Sequence, residues 1–373
     1  MRARPLGFGA ISLGALCWTL HCSSARETGE AGANDAGPGA SDGPAALDAT
    51  GDAPTCSNTA TDPQNCGSCG HDCRGAVCTQ GMCQSTKLAS GLNYPRSIRV
   101  DSTSIYFNNS DIANGSVMRL PLAGGAPAKL VSGQALPAAL AIDATSVYWK
   151  TSDGKGGGLV RKAPLAGGAV TTLPSGLENL PHAIALDATS VYFTNTDSFG
   201  GGGAVMKVPL DGGVVTTLAS GQDEPSGIAV DTTSVYWVTA AGGTVMKVPL
   251  NGGAATVLAS GQNGPRSIAV DTTSVYWTSS AGGTVSKVPL AGGAATVLAS
   301  AQQGPEGIAL DATSVYWTNK LGGQVMRVPL AGGAATTLAI AQDGPEGIAL
   351  DATSVYWVSS GSGSTGTVMR VAR

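Results

Sequence analysis

Apolar and polar positions along most of the chain fall into short segments that are separated by glycine-rich or aspartate-led turns. The unit that begins at Pro265 shows the pattern, with the segments PRSIAVD, SVYWTSS, TVSKVPL and AATVLAS in succession. Segments rich in β-branched and aromatic residues and bounded by turn residues predict β-strands. In the first turn, Asp271 is expected to accept hydrogen bonds from nearby backbone N–H groups. Each unit therefore predicts four antiparallel strands.

The unit recurs seven times along the chain. Its first turn begins each time with an aspartate, at spacings of 40 to 44 residues: Asp101, Asp143, Asp187, Asp231, Asp271, Asp311 and Asp351. A strand-rich repeat of this length is typical of β-propeller blades. The last unit lacks a fourth segment, but residues 86–90 (TKLAS) match that segment ahead of the first unit. The sequence predicts an all-β fold over 84–373: a seven-bladed β-propeller of four-stranded antiparallel blades, closed by the N-terminal strand.

The repeat resembles a known family. Residues 305–338, which include the run Tyr316-Trp317-Thr318-Asn319, are similar to the YWTD propeller repeats of the low-density-lipoprotein-receptor class and, more loosely, to NHL repeats. The resemblance covers about three quarters of the chain and implies a propeller with an extracellular binding role. Receptor-type propellers usually have six blades, whereas the repeats here predict seven. We expect the recurrent Tyr-Trp pairs to fill the core between blades.

The beginning of the chain predicts export. A basic start precedes an uncharged apolar run, 6–20, which is short for a membrane span but suits a signal peptide over 1–25. Two processing routes stay open: cleavage after Ala25, or lipidation of Cys22 as in a bacterial lipoprotein. Residues 26–55 are rich in Gly, Ala, Pro and Asp and predict a disordered linker. We therefore expect either a lipoprotein of the cell envelope and outer surface or a secreted protein.

A cysteine-rich segment at 56–83 precedes the repeats. Its cysteines are Cys56, Cys66, Cys69, Cys73, Cys78 and Cys83. Because an exported chain meets an oxidising compartment, they predict a small disulfide-rich module, whose pairing stays open. Zinc held by CGSCGHDC is an alternative that export and the tight spacing disfavour. The segment resembles the motif of the stigma-specific protein family, which implies an extracellular module; the matching residues are Asp62, Asn65, Cys66, Gly67, Cys69, Gly70, Cys73, Gly75, Cys78, Gly81 and Cys83.

Composition narrows the function classes. The net charge of −4 gives no basic excess, which disfavours nucleic-acid binding. His21, His71 and His182 are the only histidines, which limits histidine-based catalysis and metal sites. We therefore expect a protein that is not an enzyme and has no cofactor. The expected partner is a protein, peptide or glycan at the cell surface, with membrane contact only through a lipid anchor, and the chain is expected to be a monomer.

Positions that vary among such similar repeats indicate where a site could lie. One is the residue after the proline of the first strand: Arg96, Ala138, His182, Ser226, Arg266, Glu306 and Glu346. Another is Arg99, which replaces an alanine present in every other unit. In a propeller these positions lie near the mouth of the central channel. There we expect a polar pocket for a small anion, a sugar or a peptide end, formed by Arg96, Arg99, His182, Arg266, Glu306 and Glu346.

The alternative interpretation is that these charges satisfy one another, with Glu346 beside Arg96 and Arg99 because the ring closes there. A further candidate surface is formed by the longer loops of the early units, which contain Asp111, Asp153 and Asp197. Three function classes follow. We prefer a non-enzymatic binding or scaffold protein at the bacterial cell surface. The others are a metal-dependent lactonase or lyase propeller and a structural envelope component.

Overall fold

The computed structural model describes residues 58–68, 70–112, 114–155, 157–175, 181–196, 202–362 and 364–373. All of them belong to one compact unit. The predicted signal peptide with Cys22, the predicted linker, Cys56, Cys69 and Asp197 lie outside the described residues. Within the described ranges, no helix is long and apolar enough to cross a membrane.

Seven four-stranded antiparallel sheets form the blades of a ring. The first strands are Ile98–Val100, Ala138–Ile142, Pro181–Leu186, Pro225–Val230, Pro265–Val270, Pro305–Leu310 and Pro345–Leu350 for blades 1 to 7. The second strands are Ser104–Asn109, Ser146–Ser152, Ser190–Asn195, Ser234–Thr239, Ser274–Ser279, Ser314–Asn319 and Ser354–Ser359. The third strands are Gly115–Pro121, Gly158–Pro164, Gly203–Pro209, Thr244–Pro249, Thr284–Pro289, Gln324–Pro329 and Gly366–Ala372. The fourth strands are Ala128–Gln134, Thr171–Leu173, Thr216–Gln222, Thr256–Ala259, Thr296–Ala299, Thr336–Ala339 and, for blade 7, Thr86–Leu92.

The ring closes where the sequence predicted. Thr86–Leu92 pairs antiparallel with Gly366–Ala372, with Lys87 opposite Met369 and Leu92 opposite Gly366. The first strand of every blade packs against the first strands of its two neighbours, including blade 7 against blade 1. The first strands therefore surround the central channel, and closure leaves no blade with an unpartnered face. The predicted seven-bladed propeller is confirmed.

Large aromatic side chains fill the space between neighbouring blades. The tryptophans of five second strands are fully buried: Trp149, Trp237, Trp277, Trp317 and Trp357. Each of their indole N–H groups donates to a glutamine of the preceding blade, as Trp277 does to Gln262 at 3.0 Å. A buried indole N–H needs such a partner. The Tyr-Trp pairs thus pack the core, as the sequence predicted.

A tyrosine and an aspartate lock the first turn of every blade. In blade 5, Asp271 Oδ1 accepts the amide hydrogens of Thr273 and Ser274, at 2.7 and 2.8 Å, while its Oδ2 accepts the Tyr276 hydroxyl at 2.8 Å. The same bonds recur in all seven blades. Desolvation raises the pKa of Asp271, but these hydrogen bonds outweigh it and leave the pKa below its usual value. The repeated aspartates are therefore turn formers.

Lysines of the third strands link neighbouring blades. Lys162, Lys207, Lys247 and Lys287 each donate to a leucine carbonyl in the turn of the next blade, at 2.6–2.7 Å. The apolar stems of such lysines cover the surface while the ammonium satisfies a backbone acceptor. The near-identical repeats therefore hold together through the same bonds from one blade to the next.

The cysteine-rich module contains two disulfide bonds among the described residues, Cys66–Cys78 and Cys73–Cys83. It includes a short hairpin of Cys78–Thr79 and Met82–Cys83. All four cysteines are buried in a cluster that also contains residues of blades 6 and 7. The pairing that the sequence left open is thus resolved for these cysteines, and the zinc alternative does not apply to them.

We expect Asp271→Ala to lower the free energy of unfolding by about 1 to 3 kcal/mol, because it leaves the buried Tyr276 hydroxyl and two amides without their acceptor. Chemical denaturation followed by tryptophan fluorescence measures the change. Asp343→Asn, at an exposed carboxylate in a loop, is the control and should leave stability unchanged. Equal stability of Asp271→Ala and Asp343→Asn would contradict this role for the repeated aspartates.

We also expect stability to fall at both extremes of pH. The turn aspartates have pKa values below the usual range when folded, so the unfolded chain takes up protons first as the pH drops below about 4. Burial and the adjacent aspartate raise the pKa of Tyr236, Tyr276 and Tyr356 to about 12. The unfolded chain therefore loses protons first above about pH 10. Denaturation midpoints measured from pH 2 to 12 should show both declines, and a flat profile at either end would refute the corresponding half.

Candidate functional site

A cavity of about 400 Å³ opens at one end of the central channel. Residues from the beginning of the first strands of all seven blades line it, which places it at the centre of the ring. It contains all six side chains that the sequence singled out: Arg96, Arg99, His182, Arg266, Glu306 and Glu346. The structure therefore brings the predicted residues together at the channel mouth.

The close approach of neighbouring first strands shapes this mouth. A Cβ atom at Gly307 would lie 2.3 Å from the carbonyl oxygen of Glu346, and one at Gly347 would lie 2.6 Å from that of Arg96. These contacts are too short for any real side chain, so blades 6 and 7 need glycine here. The residue just before this glycine has no such restriction, so it can differ between blades. It is Glu306 in blade 6 and Glu346 in blade 7, whereas blade 5 has Arg266 there.

Both carboxylates of the mouth are in ion pairs. Glu306 Oε1 lies 2.8 Å from Arg266 Nε, and Glu346 Oε1 lies 2.7 Å from Lys320 Nζ. Glu346 is only 6% exposed, so its charge needs a partner. The ring-closure pairing of Glu346 with Arg96 and Arg99 is not what the structure shows, because Lys320 reaches Glu346 from blade 6. The charges of blades 5 to 7 thus satisfy one another.

The side of the mouth that blades 1 and 2 form is cationic. Arg96, Arg99 and Lys150 of blades 1 and 2 line the cavity, and none forms an ion pair with any described residue. Burial lowers the pKa of Arg99, whose guanidinium donates to the Ile98 carbonyl at 2.8 Å. Burial, Arg96 and Arg266 lower the pKa of Lys150 to about 8. The cavity walls include five Lys or Arg and two Glu residues, although the whole chain is acidic.

His182 is a neutral member of the site. Burial and the charges of Lys150, Arg266 and Arg96 lower its pKa to about 3. At neutral pH its imidazole therefore offers one N–H donor and one nitrogen acceptor to the cavity. It adds hydrogen-bonding capacity without adding charge.

Sequence reasoning missed two residues of the site, Lys150 and Lys320. Lys150 is the fifth residue of its second strand, and comparison of that position among the repeats would have revealed it. The seven residues there are Asn108, Lys150, Thr194, Val238, Thr278, Thr318 and Val358. Lys320 follows the second strand of blade 6, where the equivalent residue of blades 5 and 7 is serine. Both lysines are the charged exceptions among small or apolar residues.

The loop aspartates take part in local structure. Asp153 Oδ1 accepts the amide hydrogens of Lys155 and Gly157, at 2.7 and 2.9 Å. Asp111 accepts hydrogen bonds from the Asn93 side chain and the Asn114 amide. These contacts account for two of the aspartates as turn-forming residues.

The mouth offers limited means to hold a metal ion. Its ligand-type side chains are His182, Glu306 and Glu346, and these do not form a close cluster among the described residues. Elsewhere among the described residues, Cys66, Cys73 and Cys78 bring metal-ligand atoms close together, and their disulfide bonds explain this. The side chains of the mouth are therefore better suited to hydrogen-bonding a ligand and to binding a negatively charged one.

The chain is similar in fold to solved β-propeller structures. A streptogramin B lyase superposes with a TM-score of 0.64 at 13% identity, over 77% of this chain and 97% of that one. Virginiamycin B lyase from Staphylococcus aureus gives 0.63 at 14% identity, over 78% and 98%. A nidogen/laminin complex gives 0.53 at 21% identity, over 66% and 98%. No protein-family model and no curated protein matches the sequence. These similarities place the chain among β-propeller repeat proteins by fold.

We expect the His182 imidazole to remain neutral from pH 5 to 8, because burial and the nearby cations lower its pKa to about 3. Two-dimensional NMR of the histidine Cε1–H signals measures this, and His182→Asn assigns the resonance. A signal that shifts with a midpoint near the ordinary value of about 6.5 would contradict the buried, cation-facing environment.

Proposed function

We propose that this chain is a non-enzymatic, exported binding protein of the bacterial cell envelope, which binds its ligand at the channel mouth of the propeller. The observation that carries the proposal is the convergence, in one cavity, of the side chains that differ between otherwise similar blades. A ring built only for stability needs no such variation. Convergent polar groups in a concave site on a rigid scaffold are typical of ligand binding.

Three features support the extracellular part of the proposal. The chain begins with a basic start and an apolar run of signal-peptide length, and a linker-like segment follows. The two disulfides suit an oxidising compartment. The YWTD-like and NHL-like repeat and the stigma-specific-like cysteine motif resemble extracellular modules. Together they favour a propeller held outside the cytoplasm, either on a lipid anchor at Cys22 or as a secreted protein.

The lyases of similar fold suggest a second candidate, a metal-dependent lyase or lactonase. At 13–14% identity they share the fold alone. In the mouth, Glu306 and Glu346 are held in ion pairs and His182 stands among cations, an arrangement that suits a binding pocket better than a metal centre. A third candidate, a structural envelope component, leaves the unpaired cations of the mouth unexplained.

Thermal-shift titration of the full chain tests the proposal with small anions, glycans, peptides, cell-wall fragments, Ca²⁺, Mg²⁺ and Zn²⁺. We expect one of the non-metal ligands to raise the melting temperature, because binding to the folded state alone stabilises it. The double variant Arg266→Ala/Glu306→Ala removes a whole ion pair of the mouth and should weaken that ligand about tenfold or more. Lys129→Ala, on the exposed fourth strand of blade 1, is the control.

Two results would overturn the proposal. One is a ligand whose affinity is equal in the wild type, the double variant and the control, since it would bind elsewhere. The other is a melting temperature that depends on a metal ion and loses this dependence in His182→Asn, which would favour the enzyme instead.

A further inference from the structure

The fifth residue of the second strand serves as an interblade clip in four of the seven blades. In blade 5, Thr278 Oγ1 accepts the Ser267 amide at 3.2 Å and donates to the Glu306 carbonyl of blade 6 at 2.8 Å. Equivalent bonds are made by Thr318, Thr194 and Asn108. The clip ties the first strand of one blade to the first strand of the next at the channel mouth.

Blade 2 has Lys150 at this position. An ammonium group has no lone pair and cannot accept the first-strand amide hydrogen, so blade 2 lacks that half of the clip. Blades 4 and 7, which have Val238 and Val358 here, also lack the clip, so what distinguishes blade 2 is the charge. The Lys150 side chain makes no hydrogen bond and no ion pair with any described residue, and it lines the cavity half-buried. Blade 2 therefore places a positive charge toward the cavity where the other blades have a neutral side chain.

Arg99 of blade 1 is likewise a charged residue at a position where the other blades have a neutral one. The other six blades have alanine at this position, and a guanidinium here loses hydration on burial, as its lowered pKa reflects. The ring does not need the charge, since the six alanines pack without it. Two neighbouring blades thus each replace a scaffold residue by a cation at the same side of the mouth, next to Arg96.

We propose that the ligand of the channel mouth is a small anion with at least two negative charges, a phosphate or a polycarboxylate, held by Arg96, Arg99 and Lys150. This inference rests on the proposed function, because it assigns the ligand class of the same site. The charges of the described residues support it: both carboxylates that line the mouth already have their own cation, which leaves Arg96, Arg99 and Lys150 without a counterion among those residues. Like charges that converge without counterions destabilise the site until an anion enters.

The shape of the cavity limits the size of the anion. Isoleucines of blades 3 to 7 also line it: Ile184, Ile228, Ile268, Ile308 and Ile348. The volume of about 400 Å³ lies at the small end of ligand sites. A monomeric metabolite or a single terminal group fits such a cavity, and neutral His182 adds a hydrogen-bond partner beside the cations.

Binding should depend on pH through Lys150. The groups that line the cavity with it are Arg96, Arg99, His182, Arg266, Lys320, Glu306 and Glu346. The pKa of about 8 for Lys150 in the empty site means that the ammonium form dominates at pH 7 and is lost above pH 8. Since a bound anion favours the charged form, affinity should fall as the pH rises from 7 to 9.5, with proton uptake on binding at the upper end.

Isothermal titration calorimetry at constant ionic strength tests the ligand class. The probes are inorganic phosphate, glycerol phosphate and citrate, with N-acetylglucosamine as the neutral comparison. Lys150→Thr installs the residue of blades 3, 5 and 6, and Arg99→Ala installs the residue of all other blades, so both variants should fold. We expect at least one anion to bind and at least tenfold weaker binding in each variant. For citrate, whose carboxylates are ionised throughout this range, Lys150→Thr should show no pH dependence of the affinity between pH 7 and 9.5. Lys150→Arg should keep the affinity while removing the pH dependence.

The outcomes separate this inference from the proposed function. A neutral ligand that binds the wild type and Lys150→Thr equally, but fails to bind Arg266→Ala/Glu306→Ala, would leave the proposed function standing and refute the anion. Anion binding that is unchanged in Lys150→Thr and Arg99→Ala would place the anion elsewhere and also refute the inference. Failure of all three anions to bind refutes it as well. If an anion binds and both variants weaken it, the preference for phosphate or for citrate identifies which anion class the site selects.

Discussion

The close contact between the first strands of neighbouring blades is the constraint on which both the ring and its site depend. Where these strands meet, even a Cβ atom at Gly307 or Gly347 would collide with the next backbone. The blades can approach this closely because buried aromatic side chains fill the wider space farther out. The residue after the proline of the first strand differs from blade to blade, and in six of the seven blades it lines the cavity. The ring therefore brings several variable residues from different blades to a single cavity.

Near-identity of the blades makes each departure from the repeat informative. Most positions repeat because they make the same contacts in each blade, such as the bond from Tyr276 to Asp271. A residue that abandons such a contact gives up stability without a gain in the fold. Lys150 stands where four other blades have a clip residue, Arg99 stands where the other six have alanine, and both bring a positive charge into a partly buried space at the same side of the mouth. The proposed anionic ligand would account for both exchanges with one cause.

The fold was predictable because the same four-strand unit recurs seven times. The closing strand was predictable because residues 86–90 (TKLAS) match the fourth strand that the last unit lacks. The six predicted site residues meet in one cavity because ring symmetry places equivalent positions together. Ion-pair partners were not predictable in this way. Lys320 reaches Glu346 from the end of a second strand, and only side-chain length and direction decide that contact. The disulfide pairing Cys66–Cys78 and Cys73–Cys83 depends likewise on how a segment with little regular structure folds.

In the proposed function, the charge distribution is what would make this scaffold selective for anions. The chain as a whole is acidic, so its surface repels small anions at a distance, and screening by salt limits that repulsion to about 10 Å. Within the mouth the balance reverses, because Arg96, Arg99 and Lys150 have no carboxylate partner in the part of the chain that the structure describes. A partly buried cation is screened less than a surface one, so its attraction for an anion inside the cavity is stronger. Affinity for an anion can thus arise from three side chains, while the rest of the ring stays a repetitive frame.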